Sequence, residues 1–247
     1  MTRLFVAELL KLRTVRATWG FVLVAALVAA LATAGNIGGQ SANDRLDSEY
    51  QFRIVLDASF AAVILSLLLG MVLVTSEFRH GTIARTLLAT PRRGRLLGVK
   101  LVAGAATGLG LMLVTFVVTA AIAVVWLGFL DVPLEPSDIV DAASRAFVGA
   151  VLAGVLGAAV GGTVHSQVGA LVGSLVWIFV VEPLCWVLLG LLDLNGVAEY
   201  LPASSVGGLV DSSGDGLSFA GSVAMSLAWV TLATALAFLR LKRRDIT

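Results

Sequence analysis

The stretch 76–95 holds the residues best suited to meeting an aqueous partner, because long apolar segments flank it on both sides. Glu77, Phe78, Arg79 and His80 lead out of one apolar run. Gly81 permits a turn, and Thr82 is placed to cap a short helix over Ile83–Ala89 that Thr90-Pro91 then stops. On that helix Ile83, Leu87 and Leu88 form an apolar side and Arg85 a charged one, and Arg92, Arg93 and Arg95 follow as a basic knot. Anchoring of a span end accounts for the arginines. It does not account for apolar side chains held at the water surface on a capped helix, the pattern of an element that docks in another protein's groove.

A second group stands inside an apolar run, Glu182 followed by Pro183. A carboxylate at membrane depth costs about 3 kcal/mol or more unless it is paired, which makes Glu182 a candidate for a transport path. Pro183 also frees a backbone carbonyl there. In the other reading the span ends at Val181, Glu182 rests at the outer interface, and a half-inserted segment continues through Leu192. The residues alone favour neither.

No catalytic residue is expected. The segment Gly94–Lys100 lacks the spacing of a phosphate-binding loop and has no Ser or Thr after the lysine, so the chain itself is not expected to bind ATP. His80 and His165 fall in separate loops and no His-Glu-x-x-His pattern occurs, so no metal site is expected. A membrane-embedded hydrolase built on Ser174 and His165 has no flanking pattern to support it. An ATP-independent carrier or channel is the other rival, and beyond Glu182 there is little intramembrane charge for ion coupling. A nucleic-acid partner is not expected.

The elements that must position these residues are membrane spans. The chain of 247 residues is 58% hydrophobic and 13% charged, with mean hydropathy +0.98, whereas a soluble domain carries about 25% charged residues. Apolar runs of roughly 17–25 residues recur, each long enough to cross about 30 Å of hydrocarbon as a helix. They lack period-2 alternation, which favours helices over a barrel. The expected fold is therefore an all-α integral membrane protein, a single domain over 1–247. Its spans are placed at about 18–34, 54–75, 96–127, 142–162, 168–189 and 217–238. Gly35–Gly39 reads as a breaker cluster after the first span. Residues 2–16 group Phe5, Val6, Leu9, Leu10 and Leu12 on one side, with Arg3, Glu8 and Lys11 mostly on the other. That pattern suits an interfacial helix with its basic side chains near lipid headgroups. The pairs Gly104/Gly108, Gly157/Gly161 and Gly169/Gly173 have the spacing that lets helices approach closely, and packing within the chain is their expected use.

Six spans place every Lys and Arg on one side except Arg45, Arg53 and Arg145, while most acids fall on the other. The basic side is read as cytoplasmic, with both termini and segment 76–95 on it.

Ser76-Glu77-Phe78-Arg79-His80-Gly81-Thr82, continuing through Thr86-Leu87-Leu88-Ala89-Thr90-Pro91 to an arginine, resembles the signature of the permease subunits of type-2 ABC exporters. Glu8-Leu9-Leu10-Lys11-Leu12-Arg13 is similar to the elbow helix before that family's first span. The resemblance implies the type-2 exporter membrane fold and efflux of a drug, peptide or lipid. It implies a dimer with a second permease copy or paralogue, and a separate ATP-binding subunit on the cytoplasmic side that carries ATP and Mg. Thr82–Thr90 would match the coupling helix and Glu77 the acidic residue at its membrane end. The family often has re-entrant elements between its last two spans, and a bacterial plasma membrane is the expected setting.

Overall fold

The computed structural model of the protein describes residues 8, 10–12, 14, 16–39, 48–79, 93–133, 136–164, 166–211 and 216–242. These are almost entirely helical, with no strand among them. Among the described residues, six helices are long and apolar enough to cross a membrane. The first four are α1 (Arg16–Gly39), α2 (Ser48–Arg79), α3 (Arg93–Phe129) and α4 (Pro136–Thr163). The fifth span is compound: α5 (Gln167–Val176), a π-helical turn Trp177–Val181 and α6 (Glu182–Leu191). Two short helices follow, α7 (Asn195–Ala198) and α8 (Pro202–Gly207), before α9 (Phe219–Lys242) forms the sixth span. Arg16, Arg79, Arg93, Gln167 and Lys242 thus share one end of the bundle, called the basic end below.

The helix bounds depart from the expected ones for identifiable reasons. Gly35–Gly39 does not break the first helix. Ile37 is fully buried against Tyr50, Ile54, Leu127 and Val132, and that packing carries α1 through the glycines. Two helices end with an aspartate in the left-handed region, where glycine is usual. Asp131 (φ 54°) and Asp193 (φ 55°) let the N–H of Val132 donate to the Leu127 carbonyl at 3.0 Å, and that of Leu194 to the Leu189 carbonyl at 2.9 Å.

Span α2 is the hub. About 72% of its apolar window is buried, against 6% for the fifth span, so the fifth offers most of its surface to lipid or to another chain. Close approach holds α2, α3 and α4 together. A Cβ on Gly104 would lie 2.6 Å from the Gly154 carbonyl oxygen, one on Gly108 would meet the Ala150 carbonyl, and one on Gly157 the Leu67 carbonyl. Of the three glycine pairs, 104/108 and 157/161 therefore serve packing within the chain. The third does not, since Gly173 has open space where a Cβ would be.

After α6 the chain does not stay at the far surface. Trp229, ten residues into α9, donates its indole N–H to the Tyr200 carbonyl at 2.9 Å. Val206 and Val210 join the core cluster of Val55, Leu56, Ala146 and Ala150. Helices α7 and α8 are thus tucked back between the spans as a re-entrant element. Nine residues separate Glu182, which touches α8, from Leu191 at the end of α6, placing α8 about 14 Å below that end.

Candidate functional site

Of the segment expected to dock a partner, the structure describes Glu77, Phe78 and Arg79. His80, Gly81, Thr82, Ile83, Arg85, Leu87, Leu88 and Pro91 lie outside the described residues. At the basic end, Glu77 sits in a cluster of four charges. The Lys11 ammonium donates to Glu77 Oε1 at 2.7 Å and to Glu8 Oε1 at 2.8 Å. Lys100 Nζ lies 2.8 Å from Glu77 Oε2 and 4.0 Å from Glu8 Oε1. Glu8, Glu77 and Lys100 are each no more than 4% exposed. Two negative and two positive groups make the cluster neutral, which is what allows charges to be buried at the edge of an apolar bundle.

Three chain segments meet there: residues 8–11, the last turn of α2, and the second turn of α3. The described residues 8, 10–12 and 14 are helical, so Glu8 and Lys11, three apart, share a face. Of the basic side chains expected near headgroups, Lys11 is 44% exposed and turns its ammonium to Glu8 and Glu77, and Arg3 lies outside the described residues; Glu8 itself faces the protein, beside Lys11 and Lys100. Burial pulls the Lys11 ammonium down, but its hydrogen bonds to Glu77 and Glu8, with their negative charges, outweigh that and raise its pKa above the ordinary 10.5. Sequence reasoning missed Lys100. Its signal was a lone ammonium two turns inside an apolar span, opposite an acid at the matching end of the previous span. Phe78 is half-buried beside Lys100 and Leu241, and the exposed Arg79 guanidinium donates to Gln167 Oε1 at 3.5 Å.

Glu182 is 3% exposed and is held entirely by this chain. It accepts from the Trp177 indole N–H at 2.8 Å, the Ala203 N–H at 3.0 Å, the Ser204 N–H, and Ser204 Oγ at 2.7 Å. Two of these donors are the orphan N–H groups of the first turn of α8. Pro183 has no N–H to give, and the backbone answers with the π-helical turn, in which the Glu182 N–H reaches the Trp177 carbonyl. The span does not end at Val181, since helix resumes at Glu182 and continues to Leu191.

Between these two loci lies a crevice of about 450 Å³. Spans α2 and α4 form its floor, α5 and α9 its walls, and Pro202, Ala203, Val206 and Gly207 its roof. Its lining is apolar apart from Thr163 and Ser174, whose hydroxyl is taken up by Met71 Sδ at 3.4 Å.

A six-span helical bundle with a charged junction at one end, an internal apolar crevice and a re-entrant roof is that of a multi-pass membrane protein. More particularly, residues 4–153 match a family model described as ABC-2 family transporter protein; this is more than half of the chain, which belongs to that family. No curated protein matches the chain in sequence.

Proposed function

We propose that the chain is the permease subunit of an exporter driven by a separate ATP-binding subunit, with the basic end on the cytoplasmic side. The four-charge cluster is the observation that carries this reading. It ties residues 8–11 to the two helix ends from which the 80–92 segment departs and to which it returns. A movement imposed on that segment by a partner therefore reaches α2, α3 and the N-terminal helix together. ATP-driven closure of the partner does work only if it favours one membrane conformation over another. A buried, charge-balanced junction transmits such a bias better than solvated side chains do.

The apolar crevice supports a hydrophobic or amphipathic cargo, and the poorly buried fifth span supports a second permease copy as neighbour. The test is co-purification of an ATP-binding subunit from the native host. Replacing Thr82–Thr90 by a Gly/Ser linker is expected to abolish capture while the permease still folds. Undiminished capture overturns the coupling role, and transport by the purified permease in vesicles free of any ATPase overturns the ATP-driven reading.

A further inference from the structure

The crevice has a length, an opening and a charged mouth that together specify an occupant. Along α4 its lining runs from Ala153 to Thr163, ten residues, or about 15 Å. This is half of the roughly 30 Å hydrocarbon thickness, the depth of one leaflet. Thr163 is the last residue of α4, so the leaflet is the one at the basic end. The crevice is open sideways, because α5 packs on α2 and α9 packs on α4 while α5 and α9 have no extended contact with each other. Leu232 and Leu236 of α9, both lining residues, present exposed apolar surface at that gap. Pro202, Ala203, Val206 and Gly207 close its far end and α2 and α4 its floor, so a ligand in the bilayer interior reaches it through that gap.

Two guanidinium groups stand at the basic end of the opening. Arg240 donates one N–H to the carbonyl of Thr163, itself a lining residue, at 2.7 Å, and remains exposed. Arg79 reaches Gln167 at the start of α5 and is also exposed. Among the described residues no acidic side chain lines the crevice. A guanidinium fork with unused donors at headgroup depth takes a headgroup phosphate, and prefers a net-anionic headgroup to a zwitterionic one whose ammonium offsets that phosphate.

We infer that the crevice binds one acyl chain of an anionic phospholipid from the leaflet at the basic end, entering between α5 and α9 with its phosphate at Arg240 and Arg79. Its use as a loading position for export rests on the permease reading; binding itself does not.

The test uses the full-length permease in phosphatidylcholine vesicles containing phosphatidylglycerol, with a photoactivatable group on the acyl chain of one lipid or the other. Labelling of α5 and α9 residues that line the crevice is expected, with phosphatidylglycerol preferred about fivefold over phosphatidylcholine per arginine engaged, the factor that matches roughly 1 kcal/mol of attraction per basic side chain. Arg240→Gln should cut that preference about fivefold and leave chain labelling in place. Gly173 and Gly207 both line the crevice with open space at the Cβ position, so Gly173→Trp and Gly207→Leu fill it without a backbone clash and should each suppress labelling severalfold. Labelling unchanged by both filling variants, or no difference between the two lipids, overturns the inference. So does a disulfide between two copies at Gly173→Cys, which would show a second copy of this chain covering the gap. Loss of ATPase capture in the separate experiment leaves this binding result standing, and absence of lipid labelling leaves the coupling result standing.

Discussion

Replacing Lys100 with methionine keeps an apolar stem of similar length and removes the charge. Lys100 Nζ lies 2.8 Å from a Glu77 oxygen and 4.0 Å from a Glu8 oxygen, and the three side chains are at most 5% exposed. At an effective dielectric of ~20 those separations correspond to about 6 and about 4 kcal/mol of gross attraction. Desolvation offsets much of this, but the desolvation of the two carboxylates persists after the lysine is gone. The single substitution is therefore expected to cost about 3–5 kcal/mol. Combining it with Glu77→Gln removes one charge of each sign and leaves the Glu8–Lys11 pair at 2.8 Å, so the double variant should recover most of the loss. Lys11→Met should cost less than Lys100→Met, about 1–3 kcal/mol, because Lys11 itself is 44% exposed and screened by water, while Glu8 and Glu77 stay buried beside Lys100.

Unfolding of the purified protein in mild detergent, by heat or by SDS titration, reads all three. pH adds a signature. The Lys11 pKa is raised in the folded state, so its contribution is fully present below the ordinary 10.5 and is lost as pH rises through the higher folded value. The gap between wild type and Lys11→Met should stay flat through neutral pH and close only in that alkaline range. A double variant no better than Lys100→Met would refute a neutral buried cluster.

Gly108→Ala places a methyl group on the Ala150 carbonyl and should lower the melting temperature by the equivalent of about 1–3 kcal/mol, whereas Gly173→Ala, facing open space, should leave it unchanged. Glu182→Gln presents an amide N–H₂ where the carboxylate accepted from Trp177, Ala203 and Ser204. It should cost about 1–3 kcal/mol for each donor left unsatisfied, and hydrogen exchange at 195–207 should accelerate while that of α2 stays slow.

The spans were legible because membrane burial acts on each helix separately: an apolar run of sufficient length must close its own backbone hydrogen bonds whatever surrounds it. Charge segregation was legible for the same reason, being a property of loops one at a time. Glycine spacing announced close packing, and pairs 104/108 and 157/161 do pack. Nothing local separated them from 169/173, because the difference lies in whether another helix arrives. The breaker reading of Gly35–Gly39 failed on that ground too, since Ile37 is held by residues from α2 and α3.

What the sequence by itself determined is the class of protein: a six-span helical membrane chain with a polar segment between its second and third spans. Tertiary structure decided which charges are partners. Glu8, Lys11, Glu77 and Lys100 are dispersed over more than ninety residues and carry no shared motif. Their meaning comes from the cost of burying a lone ion, which only the bundle's geometry imposes and only the opposite charges brought beside it relieve. The same holds for Glu182. Along the chain it is a carboxylate in a greasy helix. In the fold it is the acceptor for the free N–H groups of α8, pinning the re-entrant element that roofs the crevice.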